Sequence, residues 1–311
     1  MRVVVTGANS FLGRHVVRHL SGCGLAVVGT YRNEGAATEE LKASSAKEAG
    51  ERAVAPEFVR VDLADRGAFS RLPQSIDGIV HVAGVSTAEG VTIDDMFSCN
   101  VEGGRNVLRY ALAAKASRLV YCSTMSVYGK VAEPVVDETT PIRDPDCYGA
   151  SKYLAERMFA AEAERLACAA VRLPGVLGRG AHRAWIPTLL ASFRSNRPIT
   201  VYNPDTQLNN AAYVDDLAAL FLEILRSSRP GFFAFPVGAD GAMTVSELLA
   251  LMAKLTDSSS SVTARIESRP TFTISSDFAK RTFGYKPQTI GEIIERYCRD
   301  EGVGAGLRAG A

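Results

Sequence analysis

The 311-residue chain has no Cys-x-x-Cys pair and no cysteine–histidine cluster at metal-ligand spacing. That removes any sequence argument for a structural zinc site or a dithiol redox centre, and no metal is expected. Its six cysteines (Cys23, Cys99, Cys122, Cys147, Cys168 and Cys298) are scattered, as reduced thiols of a cytosolic protein would be. An excess of charge of one sign is also lacking. Lysines and arginines number 35 against 34 acids, so nothing in the balance points to nucleic acid or an anionic membrane surface. No basic, apolar leader opens the sequence and no apolar run is long enough to cross a bilayer. The expectation is a soluble cytoplasmic protein. No repeat recurs at a fixed period, and low complexity is confined to Ser258–Ser261.

What is present is an alternation. Short β-branched runs at 3–6, 25–30, 58–61, 78–83 and 118–123 are separated by helical patterns. Their hydrophobicity is continuous rather than alternating, which marks strands buried on both faces of a parallel sheet. The fold class is therefore α/β, a Rossmann-type doubly wound parallel sheet. The stretch 36–52, rich in Ala, Glu and Lys, reads as a solvated crossover helix. After Arg172 the rhythm changes and prolines become more frequent. Residues 1–172 are expected to form a dinucleotide-binding domain to which 206–230 return. Residues 173–205 and 231–311 then make a smaller, mainly C-terminal substrate-binding lobe, with helices at 185–195 and 244–255. Thr244 and Glu247 have the spacing of a capping box for the second of these.

The first strand runs into Thr6-Gly7-Ala8-Asn9-Ser10-Phe11-Leu12-Gly13. Gly7 suits a tight turn and Gly13 a close helix–strand contact, and the helix from Phe11 offers free N–H groups to a pyrophosphate. Asn9, Ser10, Phe11 and Leu12 are thus candidate cofactor residues. Ser10 replaces a middle glycine, yet it is a good N-cap and its hydroxyl can donate to a phosphate oxygen. The second strand ends in Thr30-Tyr31-Arg32-Asn33, with no acid to take a ribose 2′-hydroxyl. Arg32 suits a 2′-phosphate, so NADP(H) is the expected cofactor, with NAD(H) an alternative and a solvated Arg32 the bland reading. Asp62 and Leu63 end the third strand, where an acid can accept from adenine. His81 ends the fourth as a core histidine, followed by Val82, Ala83 and Gly84.

Tyr148-Gly149-Ala150-Ser151-Lys152 opens an amphipathic helix. Tyrosine and lysine four apart share a helical face, so the ammonium is expected to lower the phenol pKa and let Tyr148 exchange a proton with a carbonyl or alcohol. Ser123 and Thr124 bring hydroxyls to the carboxyl edge of the fifth strand, where cofactor and substrate meet.

With TGANSFLG, VDLAD, HVAG, CSTMSVYG, YGASK, RLPGVLG and AYVDDLA in place, nearly the whole chain resembles the extended short-chain dehydrogenase/reductases, the NAD-dependent epimerase/dehydratase family. The resemblance implies Thr124 orienting the substrate oxygen and Tyr148 as acid/base. It implies Lys152 on the nicotinamide ribose, Asn100 supporting the site and Pro174 beside the nicotinamide. It also implies a homodimer, formed through a four-helix bundle of helices near 94–114 and 148–166.

Departures from the family pattern narrow the reaction. Nucleotide-sugar dehydratases of the family carry an Asp-Glu pair directly after the catalytic threonine; here Met125 and Ser126 stand there. Reduction of a keto group and epimerisation through a transient ketone remain, and Arg32 favours the NADPH-dependent reductase. The expected substrate is a small molecule, a nucleotide-activated deoxysugar. Gly175 and Asn209 replace two customary anchors of such sugars, which keeps a non-sugar ketone open. Ser86, Met125, Ser126, Gly175, Arg179, His182, Trp185 and Asn209 are the candidate substrate residues. Arg183, Arg265 and Arg269 are either diphosphate ligands or surface arginines. A non-catalytic NADP-binding regulator is the reading from another class, disfavoured by the intact Thr124, Tyr148 and Lys152.

Overall fold

Seven parallel strands form the central layer: β1 (Arg2–Thr6), β2 (Ala26–Tyr31), β3 (Glu57–Arg60), β4 (Gly78–His81), β5 (Arg118–Thr124), β6 (Ala167–Leu173) and β7 (Phe232–Pro236). The computed structural model describes residues 1–35, 38, 39, 41, 53–182, 184–267 and 271–303. Most of the 36–52 segment, together with Arg183 and Arg269, lies outside the described residues. The strand order is β7-β6-β5-β4-β1-β2-β3, so chain direction across the sheet reverses between β1 and β4. That is where a doubly wound sheet opens a crevice at its carboxyl edge.

The sheet is buried on both faces, which explains the unbroken apolar runs. Val3 and Val5 pack into one core with Val16, Val17, Leu217 and Phe221, from α1 (Phe11–Gly22) and a helix at Val214–Arg226. Val4 between them packs into a second core, with Val107, Ala111, Ala155 and Phe159. These last come from α2 (Gly103–Ala113) and α3 (Cys147–Ala161). Side chains alternate across a strand, so a strand covered twice must be apolar at every position.

The seventh strand was not expected. Phe232–Pro236 pairs with Cys168–Arg172 at the sheet's edge, so the return to the central layer runs beyond residue 230. Its aromatic-rich sequence lacks the β-branched signature of the inner strands, and its first three residues are only half-buried. Elsewhere, Gly175–Leu177 pairs with Ala211–Tyr213, and Ile199–Tyr202 with Val262–Arg265. Trp185–Arg194 and Val245–Thr256 are helical, the latter with the expected Thr244–Glu247 capping box.

The helix expected over 94–114 is three pieces: a turn at Ile93–Met96, a π-helical turn at Phe97–Glu102, and α2. A π-turn inserts an extra residue, which shifts the face of everything after it. Here it turns Asn100 and Val101 inward.

Candidate active site

At the carboxyl edge of the sheet lies a cavity of about 540 Å³. Its wall at one end is the start of α1, where Asn9, Ser10, Phe11 and Leu12 all line it. Gly7 has φ +69°, and a Cβ there would lie 2.9 Å from Ala83 Cα; a Cβ on Gly13 would collide with the Gly7 carbonyl oxygen. The turn is thus closed down to backbone contact. Ser10 caps α1, its Oγ accepting from Gly13 N–H at 3.0 Å. That uses a lone pair and leaves the hydroxyl proton for a ligand. Asn9 donates to Thr38 Oγ1 at 2.9 Å, fixing the segment after β2.

At the other end Thr124 closes β5 and caps the 3₁₀ turn Met125–Tyr128, accepting from Ser126 N–H at 3.2 Å. Tyr148 and Lys152 project from the first turns of α3, which Asp146 caps through Gly149 N–H at 2.7 Å. Ser123, Thr124, Tyr148, Lys152 and Pro174 all line the cavity, as do Val82, Gly84 and Ser86 from the loop after β4, and His182. Arg14, Cys122, Leu173 and Val176 line it too; the last three lie inside the CSTMSVYG and RLPGVLG motifs, which do not single them out as site residues, and Arg14 follows the glycine-rich turn without belonging to a motif.

Lys152 is 3% exposed, and its Nζ stands 4.2 Å from the centre of the Tyr121 ring. No described side chain or carbonyl accepts its protons in a hydrogen bond. Burial lowers its pKa from 10.5 to about 8. A buried ammonium with unused donors is suited to ribose hydroxyls. The expected lowering of the Tyr148 pKa by Lys152 is not seen in the free protein. Burial pushes the phenol up, and the partial counterweight is the Thr124 hydroxyl. Desolvation sets the direction of the shift, while the Lys152 ammonium faces the Tyr121 ring. His81, held near pKa 3 by burial, is a neutral core residue: its Nδ1 is 2.7 Å from Thr6 Oγ1 and its ring stacks on Tyr121.

Two supports lie behind the cavity. Asn100 accepts from Val85 N–H at 2.8 Å and donates to Val85 O and Ser151 Oγ, both at 2.9 Å, tying the loop after β4 to α3. Ser123 Oγ donates to Glu156 Oε1 at 2.6 Å, and Arg172 grips both oxygens of the same carboxylate. Glu156 went unmarked in the sequence, because its partners sit on other strands.

Other expected residues lie off the cavity wall. Arg32 is exposed at the end of β2, its guanidinium bonded to no described residue, and Arg60 Nε donates to its carbonyl at 3.0 Å. Asp62 is exposed, accepting from Ala64 N–H at 3.0 Å, and Leu63 is buried beside it. Met125, Ser126, Gly175 and Arg179 do not line the cavity, and Trp185 is 46% exposed on the surface. Asn209 is placed differently from expectation. It is buried, and its amide is consumed by Ala239 O, Ile274 O and Ile274 N–H at 2.8–3.0 Å. Both amide protons are used, so Asn209 has no donor left for a substrate.

Fold and cavity together define a Rossmann-type α/β protein with Thr124, Tyr148 and Lys152 gathered on the wall of a cavity at the sheet's carboxyl edge. The cradle closed by Gly7 and Gly13, the free donors of Lys152 and the capped start of α1 fit a nicotinamide dinucleotide. The chain belongs to the NAD dependent epimerase/dehydratase family, whose sequence profile matches residues 3–234. It is 31% identical over 251 residues to a UDP-glucose 4-epimerase of Streptomyces lividans, covering 74% of this chain and 73% of that protein. It is 29% identical over 233 residues to a 2-alkyl-3-oxoalkanoate reductase of Shewanella oneidensis, covering 70% of this chain and 57% of that one. UDP-glucuronic acid 4-epimerase from Bacillus cereus, solved with NAD, shares the fold with a TM-score of 0.80 at 20% identity, covering 96% of each chain. Among the described residues, no helix is long and apolar enough to cross a membrane.

Proposed function

We propose that the protein is an NADPH-dependent ketoreductase acting on a keto group of a nucleotide-activated deoxysugar, with Tyr148 as the general acid. The observation that carries this is the gathering of Thr124, Tyr148 and Lys152 on one cavity wall with only Met125 and Ser126 after the threonine. Without an acid pair there, elimination of water has no residue to serve it. Arg32, exposed after β2 and bonded through its guanidinium to no described residue, supports a 2′-phosphate on the cofactor.

A nicotinamide dinucleotide held by the start of α1 and Lys152 would supply the hydride for the substrate's carbonyl carbon. Thr124 donates a hydrogen bond to the substrate carbonyl oxygen and orients it. Tyr148 donates the proton to that oxygen, and Lys152 holds the ribose hydroxyls and a positive charge close by. Asn100 and Glu156 keep the loop after β4 and the end of β5 in register with α3.

A second reading has its own support: the 31% identity to a UDP-glucose 4-epimerase favours an epimerase that retains its cofactor. The deciding experiment incubates the protein with nucleotide-linked 4-keto sugars, and separately with 3-oxoalkanoates, following NADPH and NADH at 340 nm. Consumption of NADPH in preference to NADH with a keto sugar is expected. Interconversion of nucleotide sugars without added cofactor sinks the reductase in favour of the epimerase, and turnover of 3-oxoalkanoates alone sinks the sugar.

We further propose a homodimer through the two helical segments beside the cavity, where Ile93, Phe97 and Leu154 are exposed. Light scattering at a mass near that of one chain overturns it. The six free thiols support a reducing, cytoplasmic setting.

A further inference from the structure

We infer that Arg14 is an anion ligand of the cavity, pairing with the pyrophosphate of the bound dinucleotide. Arg14 stands one turn into α1 and lines the cavity. Helix side chains lean toward the N-terminus, so Arg14 lies over the face that begins at Ser10, four residues earlier. The unpaired N–H groups and dipole of the helix already make that end positive, and a cation there is unfavourable. Among the described residues, no acid pairs with it. The first turn of α1 contains no acid, and the Arg14 side chain makes no hydrogen bond or ion pair with any described residue. The Phe11 ring centre is 5.9 Å from its guanidinium carbon.

The surroundings are shaped around this cation. Gly180 has φ +87°, and a Cβ on it would fall on the Arg14 guanidinium. The loop carrying Gly180 is held from behind, its N–H donating to Glu301 Oε1 at 2.7 Å, while Tyr297 OH donates to Ala181 O at 3.4 Å. Glu301 holds the loop through its backbone and makes no ion pair with Arg14, whose side chain lines the cavity. An anion at the start of α1 takes the free N–H groups and the guanidinium together. Arg14 also supplies affinity in a turn where Ser10 replaces a glycine.

The inference rests on reading the cavity as a dinucleotide site, but not on the choice of NADP by Arg32. Pyrophosphate is common to both dinucleotides, so changes at Arg14 act on both alike. The test is titration of the full chain and its Arg14→Gln and Arg14→Lys variants with NADPH, NADH, ADP and adenosine. Arg14→Gln is expected to weaken NADPH, NADH and ADP by about tenfold each, with the NADPH/NADH ratio and adenosine binding unchanged. Arg14→Lys should recover part of the loss, and added salt should shrink the difference between parent and variant. Equal loss of adenosine binding shows that Arg14 merely shapes the cavity, and overturns the inference. So do NADPH and NADH constants within twofold of the parent's. A parent chain that binds neither dinucleotide overturns the cofactor reading along with it, whereas tight binding by parent and variant overturns the role of Arg14 alone.

Discussion

Glu156 and Arg172 form a two-point ion pair sealed beneath the cavity, with Nε–Oε1 at 3.1 Å and Nη2–Oε2 at 2.7 Å and side-chain exposures of 1% and 6%. The pair joins α3 to β6, and through Ser123 it also holds the end of β5. Arg172 stacks over Tyr128 at 4.7 Å on its other side. Glu156→Gln removes the charge and strands a buried guanidinium, at a cost of about 3–5 kcal/mol. Urea unfolding is the measurement. Ser123→Ala, which leaves the ion pair intact, should cost only about 1–2 kcal/mol. If the two variants lose the same stability, the pair does not organise this region.

Tyr148→Phe keeps the ring and removes the transferable proton. Turnover is expected to fall by about 10²–10⁴, with dinucleotide binding within a few-fold of the parent. An unchanged rate with any substrate that the parent converts removes Tyr148 from the chemistry.

The buried ammonium of Lys152 gives a pH dependence whose sign is fixed. Its folded pKa, about 8, lies below the unfolded value of 10.5, chiefly through burial. The unfolded chain therefore binds the extra proton between these values, and stability from this group rises across that window. Below pH 8 the whole penalty of burying the charge is present. Lys152→Met should be more stable than the parent at pH 7, by on the order of 3 kcal/mol. That advantage should shrink as pH rises from 8 towards 10.5. Thermal melts of cofactor-free parent and variant across this range decide it, and a constant difference refutes the assignment.

Gly149 sits where α3 meets the turn after β5, and a Cβ on it would strike the Ser126 carbonyl oxygen. Gly149→Ala must push Tyr148 away from Thr124. An overpacking cost of about 1–3 kcal/mol is expected, with a fall in kcat larger than any change in dinucleotide affinity. Full activity in this variant would mean that the spacing between α3 and the turn is not critical.

Several features were legible because they depend on neighbours along the chain. Continuous apolar runs marked five of the seven sheet strands, since a strand covered on both faces has no polar position to show. Ser10 and Thr244 announced their helices through capping chemistry that acts within three residues. Tyr148 and Lys152 shared a face because a helix returns after four residues.

What only the folded chain decided depends on partners far apart in sequence. The edge strand Phe232–Pro236 joins the sheet through backbone pairing with β6, which needs no particular side-chain pattern. Asn209 looked available to a substrate until the fold wrapped Ala239 and Ile274 around its amide. The charge of Lys152 promised a lower Tyr148 pKa, and burial reversed the result. Glu156 acquired its role from Arg172 and Ser123, and Arg14 its place on the cavity wall from a fold that sets the Gly180 loop against it. Spacing along the chain determined which groups could act; desolvation and long-range pairing, which spacing does not encode, decided which were left free to do so.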